Sequence, residues 1–236
     1  MASINGLRIL RHGVCPRRVC RTRYVQRVRN GVAILIVFLG GFAVMVLEII
    51  GARYLARDFG SSFYVWVSQI GMILVALALG YAIGGALADR FQRLSFLAVL
   101  LLPAGLMTFF IPNYAPRLMN AIIMRHPIDR GIPLVWQKLD PAIGSALIFL
   151  LPCFGLATLS PYMIRLATRH LAHVGRISGA IIAASTVGSI AGVFVSGYIL
   201  IDQMTVPNIF RTMGVLTGLM GIGCMLMDKW FRRNDE

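Results

Sequence analysis

One carboxylate stands within the apolar part of this chain: Glu48, in the stretch Val44-Met-Val-Leu-Glu-Ile-Ile-Gly51. A charged side chain inside a membrane-spanning helix costs roughly 2.5–3.5 kcal/mol on insertion scales, so such a group faces protein or water. Its chemistry is then one of two kinds. It is a structural acid, hydrogen-bonded or paired with Arg53 five residues on, or it carries a proton or binds a cation. Asp202, at the outer end of the fifth apolar stretch, is the only comparable carboxylate. Enzyme chemistry needs a nucleophile or base with a positioned partner. His12, His126, His170 and His173 all fall outside the apolar stretches, and no Ser/His or Cys/His constellation is visible. Cys15 and Cys20 lack a second Cys/His pair at zinc spacing, while Cys153 and Cys224 read as small core residues. The residues predict no catalytic centre, no metal and no cofactor.

The elements that must position Glu48 are membrane helices. Of 236 residues 58% are hydrophobic and only 14% charged, which excludes an ordinary soluble domain. Apolar runs of about 20 residues, enough to cross a hydrocarbon core of about 30 Å, recur between short charged clusters. They predict an all-α polytopic membrane protein with six spans, near 31–51, 65–87, 94–111, 141–159, 177–201 and 207–227. The third contains Pro103 and ends at Pro112, and a re-entrant segment is its alternative. A basic tail, 1–30, precedes the six-helix domain, 31–228, and a short tail, 229–236, follows it. Sixteen of the 23 lysines and arginines fall on the side of the N-terminal tail, which predicts that both termini are cytoplasmic. The net charge of +14 lies mostly beside spans, so its expected partner is anionic lipid headgroups, not nucleic acid. The acid-free first thirty residues also resemble an organellar targeting sequence, with a cytoplasmic polybasic tail as the preferred reading.

Small residues recur every four positions along the second span (Ala76, Gly80, Gly84, Ala88), and along the fifth (Ala184, Gly188, Gly192, Ser196). The sixth adds Gly214 and Gly218. Such ladders let helices approach closely, within the bundle or against a partner subunit. The two laddered middle helices suit an inverted repeat of three spans plus three. At the helix ends, Asn30 is a candidate cap of the first span, and Ser61 or Ser62 of the second. Tyr64 and Trp66 are placed as interfacial anchors. The prolines of 112–140 predict a broken loop with a short helix over 117–124, Trp136 anchoring the return, and solvated charges at Asp129, Arg130, Lys138 and Asp140. In 162–176, Arg165, Arg169, His173 and Arg176 share one helical face. This predicts an amphipathic interfacial helix whose basic stripe meets lipid or an acidic partner.

The run Met45-x-x-Glu48-x-x-x-x-Arg53, Phe59-Gly-Ser-Ser62, Trp66 and Leu79-Gly-Tyr-x-x-Gly84-Gly85-x-x-Ala-Asp89-Arg90 resembles the membrane portion of fused major-facilitator/spermidine-synthase-like bacterial proteins. Ser160-Pro161, Gly175-Arg176 and Ala184-Ser-Thr-x-Gly-Ser189 are similar to their later helices. The resemblance implies half of a major-facilitator bundle in a bacterial inner (cytoplasmic) membrane. It also implies that Gly84, Gly85, Asp89 and Arg90 form a short cytoplasmic loop motif. The fused proteins continue into a soluble aminopropyltransferase-like domain, which does not follow here, so no spermidine synthase is implied.

Two functions are consistent with these residues. One is a non-catalytic membrane subunit that anchors or stabilises a partner, either a soluble aminopropyltransferase-like protein or other membrane subunits. The other is a half-size transporter, homodimeric or paired with another half. It would move a small solute such as a cation or polyamine, with Glu48 as its intramembrane carboxylate.

Overall fold

The computed structural model describes residues 17–60, 63–126, 133–168 and 174–235. All regular structure among them is helical. In chain order the helices are α1 (Arg17–Phe59), α2 (Phe63–Phe91), α3 (Leu94–Ile123), α4 (Leu134–Ala157), α5 (Leu159–Ala167) and α6 (Val174–Val195). A π-helical turn (Ser196–Leu200), α7 (Ile201–Gln203) and α8 (Val206–Asp235) complete the fold. Six segments are long and apolar enough to cross a membrane: Asn30–Phe59, Phe63–Phe91, Leu94–Ile123, Leu134–Ala167, Val174–Gln203 and Val206–Asp228. We call the end of the bundle where α1 begins the near end, and that of the α1–α2 turn the far end.

The prolines end fewer helices than their spacing predicts. α3 is continuous through Pro103, Pro112 and Pro116, so the third span is neither re-entrant nor followed by a separate helix over 117–124. Proline removes one intrahelical donor, but in a bundle neighbouring helices and side chains stabilise the kinked backbone. Pro161 acts more strongly. It cannot donate to the Ala157 carbonyl, and the fourth span breaks at Thr158, whose Oγ1 donates to Gly155 O at 2.8 Å. α5 then stops at Ala167, where Thr168 turns extended (φ −92°, ψ 97°). The amphipathic helix anticipated over 162–176 is therefore two helices, one on each side of that break. Asn30 is not a cap, because α1 begins at Arg17 and runs straight through it. Gly60 ends α1 with φ +81°, a left-handed position that glycine occupies without Cβ strain. Ser61, Ser62, Asp129 and Arg130 lie outside the described residues.

Packing divides the spans into three pairs. α1 lies on α6, α2 on α4, and α3 on α8, with α1 and α4 also meeting at the centre. Exchanging the first span with the fourth, second with fifth and third with sixth leaves this set of pairs unchanged. The exchange also holds residue by residue at one offset. A Cβ on Gly80 would meet Phe154 O and the Ala157 side chain, and a Cβ on Gly192 would meet Phe42 O and Met45 Cβ. Phe42 and Phe154, Met45 and Ala157, and Gly80 and Gly192 are each 112 residues apart. So are Phe91 and Gln203, which end the second and fifth spans, and Leu94 and Val206, which open α3 and α8. The two three-span halves thus share one packing pattern. With three spans per half they run in opposite directions, the arrangement of inverted repeats.

Lipid tails are as apolar as leucine, so close contact and hydrogen bonding, not water exclusion, hold these pairs together. The glycine ladders serve that contact. Gly84 faces Thr158, Gly188 faces Phe38 O, and Gly105 and Gly214 close α3 on α8 backbone to backbone. Gly218 lies in the same crossing, its backbone against Gly105. Ala76 and Ala88 are buried in the same α2 face. Both ladder faces thus pack within the chain.

Candidate functional site at the seam of α1, α2 and α4

Glu48 lies eleven residues before the end of α1, about 16 Å along the axis at 1.5 Å per residue. It is deep in the span and half-buried. The ion pair with Arg53 is not formed. Five residues of helix turn the chain by about 140°, so the two side chains leave opposite flanks, and Arg53 is exposed. Among the described residues Glu48 makes no ion pair and no hydrogen bond. The fully buried Cys153 thiol on α4 lies within its electrostatic reach. Asp202 is exposed at the far end and takes no part in this site.

Toward the far end from Glu48, one flank of α1 carries Gly51, Tyr54 and Asp58, each about one turn beyond the last. Gly51 is glycine for a steric reason: a Cβ would strike Gln69 Nε2 on α2 and Phe149 Cζ on α4. Gln69 and Ser145 are wholly buried, and Ser145 Oγ donates to Gln69 Oε1 at 2.7 Å. That bond ties α4 to α2 across the face of Gly51. Three buried polar atoms near this flank have no hydrogen-bond partner among the described residues: Gln69 Nε2, Tyr54 OH and Asp58 Oδ2. Each such atom costs about 1–3 kcal/mol when left unsatisfied. The Tyr54 ring packs edge-on to Phe210 at 5.6 Å and under the Arg57 guanidinium at 5.4 Å. The hydroxyl is therefore fixed while the ring is held on both sides.

A second polar cluster closes the far end, where solvated charges were anticipated. Asp140 is 4% exposed and binds Arg125 Nη2 at 2.5 Å and His126 Nε2 at 2.7 Å. Arg125 also stacks over the Trp136 ring, 4.2 Å from its centroid. This cluster joins the end of α3 to the start of α4, the connection between the two repeats. Trp136 is thus anchored by a guanidinium, and Lys138 stands over the Tyr64 ring at 5.1 Å. Trp66 is exposed near the start of α2. The sequence reading placed Asp140 as a solvated charge, because its partners lie fourteen and fifteen residues away across a turn. It also passed over Gln69 and Ser145, although two amide- and hydroxyl-bearing residues inside apolar runs were signal enough.

At the near end the glycine-bearing motif is helical and not a loop, since α2 runs to Phe91. Gly85 meets nothing within 4 Å, Asp89 accepts from Arg165 Nε at 2.5 Å, and Arg90 covers the Phe91 ring. The basic stripe is divided by the break at Thr168: Arg165 on α5 pairs with Asp89 of α2, Arg176 is exposed on α6, and Arg169 and His173 lie outside the described residues. The connection from α2 to α3 is only Gln92 and Arg93. Gln92 has φ 42°, and Tyr162 OH donates to Arg93 O at 2.7 Å. α3 lacks a capping side chain of its own. Asp228 of α8 supplies one, accepting from Leu94 N at 3.1 Å and from Ser95 Oγ. Cys153 and Cys224 are buried free thiols, and no group of three metal-ligating side chains occurs among the described residues.

No protein-family model, no curated protein and no solved structure matches this chain.

Proposed function

We propose that the chain is a non-catalytic integral membrane subunit that works by packing against a second membrane unit. One observation carries this reading. The spans Phe63–Phe91 and Val174–Gln203, exchanged by the internal repeat, are the least covered: 22% and 17% of their apolar cores are buried, against 44–61% for the other four. Their inward faces are taken by α4 and α1. Their outward faces carry small residues at helical spacing, Ala78, Ala82 and Ala86 on α2 and Gly175, Gly179 and Ala183 on α6, all exposed. Faces of that kind allow close helix approach. The resemblance to the fused major-facilitator/spermidine-synthase-like proteins supports a membrane module of this type in a bacterial inner membrane. Near the N-terminal side the exposed Arg90 and Arg176 are suited to anionic headgroups or to an acidic surface of the partner. Extraction from native membranes in mild detergent, followed by mass spectrometry of co-purifying proteins, tests the proposal. A stoichiometric membrane partner is the expected result, and recovery as a lone monomer overturns it.

A second reading is favoured by Glu48. Here the unit packed against the exposed spans is another six-helix half, a second copy included, and the pair moves a small cation. Its support is a deep carboxylate without an ion-pair partner among the described residues, on the central helix of an inverted repeat. Flux that depends on Glu48 in reconstituted vesicles distinguishes it from the first.

A further inference from the structure

We infer that the unit seated on α2 and α6 is a second copy of this chain. In this dimer α2 of each copy lies antiparallel on α6 of the other, and Lys138 meets Asp202 across the interface. The dimer rests on the subunit reading above and names its partner.

The glycines of these two helices are of two kinds. Gly80, Gly84, Gly188 and Gly192 have atoms of a neighbouring segment where a Cβ would stand, so packing within the chain requires them. Gly71, Gly175 and Gly179 have nothing within 4 Å. A glycine inside a helix costs about 0.5–1 kcal/mol relative to alanine, and contact with lipid does not offset that. Close approach of a helix from outside the chain does. These glycines also share a face with other small residues. Ala82, two residues past Gly80, stands about 200° round α2 from it, and Gly71 and Ala78 lie on the Ala82 side. Tyr64 precedes Ala82 by eighteen residues, five full turns, and marks that face at the far end. Gly179 precedes Gly188 by nine residues, two and a half turns, so it stands on the side of α6 turned away from α1, with Gly175 and Ala183.

Direction and charge select a second copy as the occupant. α2 runs from the far end to the near end and α6 runs back, so their outward faces meet antiparallel when they come from different copies. The small residues at 78–86 and 175–183 occupy the near-end halves of their helices, and so overlap in that pairing. At the far end the Tyr64 face carries Lys138, which stands over the ring at 5.1 Å. The fifth span ends on the same side of the membrane with the exposed Asp202. Neither charge forms an ion pair among the described residues. A twofold axis sets each Lys138 against the other copy's Asp202 and makes the contact twice, as isologous dimers do. An unrelated partner would have to supply both a small-residue face and the matching charges. Arg90 and Arg176, at the near ends of the two helices, lie at headgroup level, where anionic lipid neutralises them.

Disulfide cross-linking of the full chain in native membranes tests the dimer. Cys15 and Cys20 are replaced by serine, and two differently tagged populations are co-expressed. One carries Ala82→Cys or Ala86→Cys and the other Gly179→Cys or Ala183→Cys, all at exposed positions. The expected result is a reducible dimer bearing both tags in at least one of these combinations. Cross-links that join α2 only to α2 overturn the arrangement, and so does the absence of any dimer. Fluorescently labelled protein at low density in vesicles then tests the charges. Lys138→Glu and Asp202→Lys should each weaken the dimer about fivefold, and the double reversal should restore it. Single reversals that leave association unchanged overturn the Lys138–Asp202 contact. A photo-crosslinking residue at Ala82 separates the dimer from the subunit reading. Adducts with a different protein, and none with a second copy, overturn the dimer and leave the subunit reading standing. Lipid adducts alone overturn both.

Discussion

Gly80 and Gly192, 112 residues apart, play the same part in the two halves of the bundle. Each lets its helix settle onto the backbone carbonyl of a phenylalanine, Phe154 for Gly80 and Phe42 for Gly192. Helix pairs that associate without a hydrophobic driving force depend on contact of this closeness, and a side chain at either place forces the pair apart.

Replacing either glycine by valine should therefore destabilise the bundle by about 1–3 kcal/mol, the usual range for overpacking. Gly85→Ala is the control, because nothing lies within 4 Å of its added methyl group. There the alanine should stabilise by about 0.5–1 kcal/mol through helix propensity. Thermal melts followed by size-exclusion chromatography measure both, and equal melting of Gly80→Val and wild type contradicts the packing described.

Asp228 caps a helix to which it does not belong. Asp228→Ala should cost about 1 kcal/mol, as loss of a cap does, and the effect should be local. Faster amide exchange at Leu94 to Leu97, with α6 unchanged, is the expected pattern. Protection unaffected at α3 would mean that the cap contributes nothing.

The two-residue turn from α2 to α3 places a glutamine at φ 42°. Left-handed backbone costs a non-glycine residue roughly 1–2 kcal/mol, part of which glycine returns through its greater freedom when unfolded. Gln92→Gly should raise stability by about 0.5–1 kcal/mol on this balance. A lower melting temperature for the variant would show that Gln92 contributes through its side chain.

The far-end cluster should behave as a unit centred on Asp140. Asp140→Asn removes the charge that Arg125 and His126 share, and should cost about 1–3 kcal/mol, discounted because Arg125 is 43% exposed at its side chain. His126→Ala leaves the Arg125 pair in place and should cost less. A double variant no worse than Asp140→Asn alone is the outcome expected of one network. Additive losses would mean two independent contacts.

Glu48→Gln should leave insertion and folding intact, because no ion pair is lost among the described residues. Yield and elution profile in detergent measure this. Loss of the protein from membranes would reveal a charge partner that the carboxylate requires.

The six spans were legible because the bilayer sets a length that apolar runs either meet or miss. Their ends were less so. α1 continues past Gly51 to Phe59 because Arg53, Arg57 and Asp58 are as compatible with helix as with loop, and hydropathy does not distinguish the two. Proline spacing misled at Pro112 and Pro116, through which α3 is continuous, and the break beside Pro161 was not read from the sequence. The glycine ladders announced close packing but not its target, since Gly84 looks the same against Thr158 as against another chain. The repeat was hinted at by two laddered middle helices. Its 112-residue register stayed hidden because few aligned positions, such as Phe42 with Phe154 and Gly80 with Gly192, keep the same residue. Asp140 was read as solvated because its partners, Arg125 and His126, come from the turn after α3, fourteen and fifteen residues away. Gln69 was passed over although its place inside an apolar run marked it, and its partner Ser145 lies on another helix.

On the proposed function, the second and fifth spans pack against another membrane protein. Photo-crosslinking residues placed singly at Ala82 on α2 and Val187 on α6 test it most directly in native membranes, with Leu106 on α3 as an exposed control. The account predicts discrete protein adducts at Ala82 and Val187 and lipid adducts alone at Leu106. Lipid adducts alone at all three positions would contradict it.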